Sequence, residues 1–273
     1  MAGGGLREIV NAPDLIFQPT EHQPSMSILR IILWSGPRNV STAIMYSFAQ
    51  RSDTRVVDEP LYGHYLRVSG AVHPGGDEVM ASMNCNGAQV VRDVILGECE
   101  KPVLLVKQMA HHLVDTDYGF FGETRNALLI RDPVQMLPSL IHQIPEPVLG
   151  DTGLKMQSDL FDEFNALGQS PIVLDSREVL LNPEGVLREF CSQLGIAFEE
   201  SMMSWEPGAR PEDGAWAPYW YHNVHKSTGF QPFAPKTEPF PDSLKPLLEE
   251  CQPYYERLFA HAIKAPSIPE PAV

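Results

Sequence analysis

A chain of 273 residues with 20 Lys and Arg against 35 Asp and Glu carries a formal net charge of −15. That surplus of carboxylates argues against DNA, RNA, heparin-like polymers and anionic membranes as partners, because such polyanions are held through clustered cations. With 43% hydrophobic residues the chain can bury the core of one large α/β domain, and no stretch approaches the roughly 20 consecutive apolar residues of a membrane-spanning helix.

Residues 1–27 read as a loose arm. They lack the apolar core of a secretory signal and the Arg- and Ser-rich, acid-poor character of a transit peptide, so the expected address is the cytosol. Five short runs of mostly Val, Ile and Leu follow: Arg30–Trp34, Thr54–Asp58, Pro102–Lys107, Asn126–Arg131 and Pro171–Asp175. None alternates strictly, as expected for parallel strands covered on both faces. Helical spacing occupies Val40–Gln50, Ala88–Glu98, Val134–Gln143 and Gly153–Leu167. A further helix is expected over Pro183–Leu194, with Asn182 as its cap and Gly195 as its stop. The alternation predicts an open, doubly wound parallel sheet of about five strands with helices on both faces. It forms one domain over 28–264, with a flexible tail at 265–273.

From about Glu206 to Pro241, Gly, Pro and aromatic residues crowd together without a period. Trp216, Tyr219, Trp220 and Tyr221 argue against disorder there, so the segment is either functional or anchored to the core. A last helix is expected from about Asp242 to Ile263. The four cysteines (Cys85, Cys99, Cys191, Cys251) have no CxxC spacing and read as free thiols rather than disulfides or zinc ligands.

Two motifs carry chemistry. The first, Ser35–Thr42 (SGPRNVST), follows the first strand and opens a helix. A strand turning into a helix aims free backbone N–H groups and the positive end of the helix dipole at one spot. Arg38, Ser41 and Thr42 add charge and donors, which makes a phosphate cradle; the alternative is a capped helix beside an exposed arginine. The motif lacks the Gly-Lys-[Ser/Thr] ending of a nucleoside-triphosphatase loop. The second motif pairs Arg131, at the carboxyl edge of the sheet where open α/β sheets bind ligands, with Ser139 on the next helix. Both can converge on one phosphate, Arg131 by a two-pronged contact.

With these motifs the chain resembles the sulfotransferase superfamily, whose donor is 3′-phosphoadenosine-5′-phosphosulfate. It looks closest to the sulfotransferase-like proteins described in plants and bacteria as branched-chain-aminotransferase-like. The resemblance implies that Pro37, Arg38, Asn39, Val40, Ser41 and Thr42 hold the 5′-phosphosulfate and that Arg131 and Ser139 hold the 3′-phosphate. The helix Asn182–Ile196 resembles the one after the family's fifth strand. Lys226, Ser227, Thr228 and Gly229 resemble the loop that closes over the nucleotide. Three positions depart from the family pattern: Val40 stands where many members have Gly, Ser176 where cytosolic members have an adenine-stacking Tyr, and Met109 where they have a catalytic His.

Another base is therefore needed. Glu59, in VVDEP at the end of the second strand, is the expected base, as in the tyrosyl-protein and several carbohydrate sulfotransferases, which the sequence resembles here. Asp58, His111 and His112 are the alternatives; alternation along a strand lets only one of Asp58 and Glu59 face the site. Lys107 and Arg38 are expected to neutralise the leaving phosphate without a metal. Trp216, Trp220 and Tyr221 are candidates to line the pocket of a small soluble acceptor, partly apolar or cationic, bearing a hydroxyl or amine. A P-loop-type small-molecule or nucleotide kinase and a non-catalytic nucleotide binder remain as other readings.

Overall fold

The computed structural model describes residue 1 and residues 27–266; the expected arm and tail fall almost wholly outside them. The elements in chain order are β1 (Leu29–Ser35), α1 (Ser41–Ala49), β2 (Thr54–Asp58), α2 (Tyr62–Ser69), α3 (Gly76–Ser82), α4 (Gly87–Val90) and β3 (Val103–Met109). After them come β4 (Arg125–Ile130), α5 (Pro133–Leu140), α6 (Leu149–Thr152), α7 (Leu154–Ala166), β5 (Ile172–Asp175), α8 (Ser176–Leu181), α9 (Pro183–Leu194), α10 (Ala217–Trp220) and α11 (Lys245–Phe259).

The five strands form one parallel sheet in the order β2-β3-β1-β4-β5. Alternate residues of β1 enter two separate cores. Ile32 and Trp34 pack with Leu104, Val106, Leu128 and Ile130 under α5, α7 and α11. Ile31 and Leu33 pack with Leu105, Leu129 and Leu174 under α1 and α9. Burial on both faces is why these strands read as continuous apolar runs. All strands point the same way, so the loops after Ser35, Asp58, Met109, Ile130 and Asp175 open along one edge.

The five strands and the helix Pro183–Leu194 stand where the sequence predicts them, to within two residues. The helices expected over Val40–Gln50 and Gly153–Leu167 are present as Ser41–Ala49 and Leu154–Ala166, and the one expected over Val134–Gln143 runs Pro133–Leu140. Two other stretches differ. The run Ala88–Glu98 is a single α-turn followed by a π-turn, Val91–Ile95. There the Arg30 guanidinium takes the carbonyls of Ile95, Leu96 and Gly97, a tertiary contact that periodicity cannot reveal. The last helix stops at Phe259, because Ala262 and Ile263 leave it to pair with Val173 and cover the exposed edge of β5. A third apolar cluster joins α2 and α3 to Trp216, Ala217 and Tyr221, so this stretch of the Pro- and aromatic-rich segment is packed. No helix among the described residues is long and apolar enough to cross a membrane.

Candidate active site

A cleft of about 820 Å³ lies over the carboxyl edge of the sheet. Its middle is the turn after β1. Gly36 begins that turn so close to α6 that an added Cβ would lie 2.7 Å from the Thr152 carbonyl. Arg38 takes a left-handed φ of 58°, a costly conformation for a residue with a Cβ and one that clusters at functional sites. Val40, where the family pattern often has Gly, sits at φ −97° and needs no glycine freedom. Asn39 fastens the turn: its side chain donates to Leu129 and accepts from the Ser41 N–H. Val40 makes no side-chain cap, so the first turn of α1 presents its N–H groups to the cleft.

Arg131, one residue past β4, donates to the Arg38 carbonyl, while Arg38 Nε donates to Ser139 Oγ at 2.9 Å. The three predicted phosphate ligands thus meet. Ser139 lies behind Arg38 rather than on the cleft wall. Burial pushes both guanidinium pKa values down, and the charge of Arg38 lowers that of Arg131 further. Lys236, which sequence reading missed, is lowered by burial and by the same two arginines.

At the β2–β3 side the ladder sets Asp58 beside Lys107. Parallel neighbours in register share a face, so the Lys107 ammonium reaches Asp58 Oδ1 at 2.8 Å. It also reaches Glu59 Oε1 at 2.5 Å and the Tyr221 hydroxyl at 2.6 Å. Both carboxylates therefore face one group, against the expectation that alternation would separate them. The reason is local: Glu59 has a left-handed φ of 40°, while its N–H still donates to the Lys107 carbonyl at 2.8 Å. Burial pushes the Glu59 carboxyl up; Lys107 opposes this and Asp58 adds to it, leaving it at about 7. Despite burial, the Lys107 ammonium is held well above its usual range by Asp58 and Glu59.

Beyond Glu59 the cleft becomes aromatic. His112 packs near-parallel to both Tyr62 and Tyr65, with ring centroids 4.6 Å from each. The Tyr62 hydroxyl shares a hydrogen bond with His73 Nδ1 at 2.7 Å. His111 and His112 are not solvated loop histidines: burial pushes His111 down to about 4 and His112 well below its usual range, which weakens both as bases. Trp216, Trp220 and Tyr221 all line the cleft, but unequally. Trp216 is 3% exposed and donates its indole N–H to Tyr221, so it is chiefly part of the framework, whereas Trp220 is half-buried at the wall. Tyr219 points outward to Glu78.

The predicted closing loop divides. Ser227 and Gly229 line the cleft. Trp205 donates to Ser227 Oγ, and Gly229 bridges to Ser204. Lys226 and Thr228 are exposed and off the cleft wall, a correction with a simple cause: in the 3-10 turn Val224–Lys226 it is Val224 that lines the cleft, while Lys226, at the turn's end, is exposed. Ser176 is buried and donates to the Ile130 carbonyl. Tyr62 and Tyr65 were missed because the helix after Pro60 was not foreseen, and His73 because it reaches the cleft from the loop that follows that helix.

The family profile described as a sulfotransferase domain matches residues 29–262. Branched-chain-amino-acid aminotransferase-like protein 1 of Arabidopsis thaliana is 41% identical over 238 residues, covering 86% of this chain and 42% of that protein. Its paralogue, protein 2, is 37% identical over 249 residues, 87% of this chain and 44% of that protein. The chain thus spans less than half the length of these curated relatives. Among solved structures, the sulfotransferase domain of the Synechococcus PCC 7002 olefin synthase shares the fold. It has 14% identity and a TM-score of 0.50, covering 88% of this chain and 98% of that domain.

Proposed function

Since this chain belongs to the sulfotransferase domain family, we propose that it transfers a sulfuryl group from 3′-phosphoadenosine-5′-phosphosulfate to the hydroxyl or amine of a small soluble acceptor. The observation that carries this reading is the pairing of Arg38 and Arg131. They are two partly buried guanidiniums with lowered pKa and no carboxylate at ion-pair distance among the described residues. Such a pair calls for a polyanion. The open first turn of α1 fits the same ligand, and Leu180 and Phe230, also on the cleft wall, offer apolar faces for adenine.

The donor supplies an activated sulfuryl group; the protein binds, orients and moves a proton. The turn after β1 and Glu59 lie two strand spacings apart in the sheet, about 10 Å, with the acceptor between them. Glu59 takes the acceptor's proton as the acceptor attacks sulfur in line with the departing phosphate; a carboxyl titrating at about 7 suits a general base. Arg38, Lys107 and the N–H groups of the turn stabilise the leaving charge, and no metal is invoked. Cations line the phosphate end, while the acceptor end is aromatic with the carboxylates Glu59 and Asp151. That division favours a small, partly apolar or cationic acceptor over a nucleic acid, membrane or polyanionic glycan. The four cysteines are free, which supports a cytosolic setting.

The test incubates the protein and donor with a metabolite extract and searches by mass spectrometry for products gaining SO3. No such product, together with stronger thermal stabilisation by ATP–Mg²⁺ than by adenosine 3′,5′-bisphosphate, would replace this reading with a kinase.

A further inference from the structure

The hydrogen bonds around Lys107 determine one another. An ammonium has three N–H groups, and those of Lys107 point at Asp58 Oδ1, Glu59 Oε1 and the Tyr221 hydroxyl. That hydroxyl also receives the Trp216 indole N–H at 3.0 Å, so its own proton goes to Asp58 Oδ2 at 2.6 Å. Burial and the Asp58 charge keep the Tyr221 hydroxyl protonated far above its usual range. Asp58 is therefore bound at both oxygens. Glu59 is bound at one; its Oε2 has no hydrogen bond among the described residues, and the His112 ring lies 3.6 Å away. The two carboxylates are chemically unequal even though they share a cation.

Tyr221 also belongs to the segment that reaches the nucleotide end of the cleft. The His225 N–H bonds back to the Tyr221 carbonyl at 2.9 Å and that of Ser227 to Val224 at 3.0 Å. Gly229 is bridged to Ser204. A continuous run of hydrogen-bonded turns therefore links the covering loop to Lys107.

We propose that Asp58 and Tyr221 are positioning residues that grip Lys107 by two bonds, leaving its third N–H to turn from Glu59 to the oxygen that departs with the donor's phosphate. This rests on the sulfuryl-transfer reading. The acceptor's oxygen or nitrogen bonds to sulfur, and the bond from sulfur to the bridging oxygen breaks with its electron pair on that oxygen. The acceptor's proton goes to Glu59 Oε2. As Lys107 turns away, Glu59 loses the charge that lowers its proton affinity, so it becomes more basic as the proton arrives. Tyr221 makes this exchange depend on a seated covering loop.

The test follows the Glu59 carboxyl by carbon-13 NMR in glutamate-labelled protein, its resonance identified by loss in Glu59→Gln. The groups facing that carboxyl are Lys107 and His112 on and after β3, Asp58 on β2, Tyr62 on α2 and Tyr221 after α10. Binding of adenosine 3′,5′-bisphosphate is measured by calorimetry, and turnover as sulfate release from the donor with water as acceptor. Tyr221→Phe should keep bisphosphate affinity and lower the Glu59 midpoint, because Lys107, one acceptor short, settles on the carboxylates. Turnover should fall roughly 10–100-fold. Asp58→Asn should move the midpoint the same way, and Tyr219→Phe, the same change on an exposed ring, should move nothing. An unmoved midpoint in Tyr221→Phe, or in Asp58→Asn should the first variant not fold, overturns the positioning role. Failure of the unaltered protein to bind the bisphosphate would instead sink the sulfuryl-transfer reading, with the NMR arm still deciding the role of Tyr221.

Discussion

The Arg131 side chain donates to the backbone carbonyl of Arg38, so a charge carried in on β4 fastens the turn that follows β1. The contact holds two cations close together although each lowers its own tendency to stay charged by being buried. Arg38 bears a second strain, its left-handed backbone. A sheet edge that keeps like charges and a strained residue together is organised around a ligand that both guanidiniums would bind.

Adenosine 3′,5′-bisphosphate should therefore raise the melting temperature more than AMP or ATP–Mg²⁺, because a ligand that binds only the native state stabilises it. Arg131→Ala should weaken its binding by about 1.5–3 kcal/mol, the range for a hydrogen bond to a charged group. Calorimetry on the two proteins measures this directly; equal affinities would remove Arg131 from the phosphate site.

Glu59→Gln should retain bisphosphate binding while turnover drops by roughly 10²–10⁴-fold, the usual contribution of a general base. In the unaltered protein, turnover should rise with pH through an acid limb near 7, where Glu59 loses its proton. Near-normal turnover in the variant would move the role to His111, His112 or Asp58; burial makes both histidines weak bases, and both oxygens of Asp58 are already hydrogen-bonded.

The same carboxyl should leave a mark on stability. Its folded pKa, about 7, lies above its ordinary value of 4.5. The folded state thus binds the proton more tightly than the unfolded chain does, and stability from this group is present below pH 4.5 and lost as pH rises through 7. Glu59→Gln, which imitates the protonated side chain, removes that loss. Its melting temperature relative to the unaltered protein should climb between pH 5 and pH 8, as read by calorimetric scans. A difference that stays flat would mean that Glu59 is ionised in both states across that range.

The sheet and the turn after β1 were legible because each depends on local pattern: apolar runs of strand length and a strand entering a helix. The spacing of Arg131 and Ser139 did not reveal that Ser139 would be bonded to Arg38, a contact between elements far apart in the chain. The Glu59 environment was legible only in part. Period-two alternation puts Asp58 and Glu59 on opposite faces, and a residue before proline normally favours an extended backbone. Contacts from Lys107 and the β3 backbone override that preference, and no local pattern encodes them. The His112 stack was hidden for the same reason. Its partners lie on α2, a helix after Pro60 with no side-chain cap and no acidic first turn to announce it. Lys226 shows the opposite failure: the motif fits, but within its 3-10 turn Val224 takes the cleft side and Lys226 is exposed.

Two tryptophans only four residues apart should respond differently to truncation. Trp216 is almost fully buried, packs edge-on against Tyr62 at 5.2 Å and donates to the Tyr221 hydroxyl. Its loss opens a cavity in the α2–α3–α10 cluster, and Trp216→Ala should cost roughly 3–5 kcal/mol. In a protein of this size that lowers melting by on the order of 10 °C. It should also disturb Lys107 by removing one of the donors that orient Tyr221. Trp220 is half-buried on the cleft wall beside His73, with ring centroids 6.4 Å apart, and makes no hydrogen bond that holds the framework together. Trp220→Ala should leave the melting temperature within a few degrees of the unaltered protein and raise the acceptor's Michaelis constant while bisphosphate affinity stays the same. The measurement is paired melting curves and acceptor saturation curves for both variants, using whichever acceptor the mass-spectrometric search yields. A Trp220→Ala protein that melts early with an unchanged Michaelis constant would make this ring part of the framework too. The aromatic wall would then say nothing about the acceptor, and selection would fall to Glu59 and Asp151.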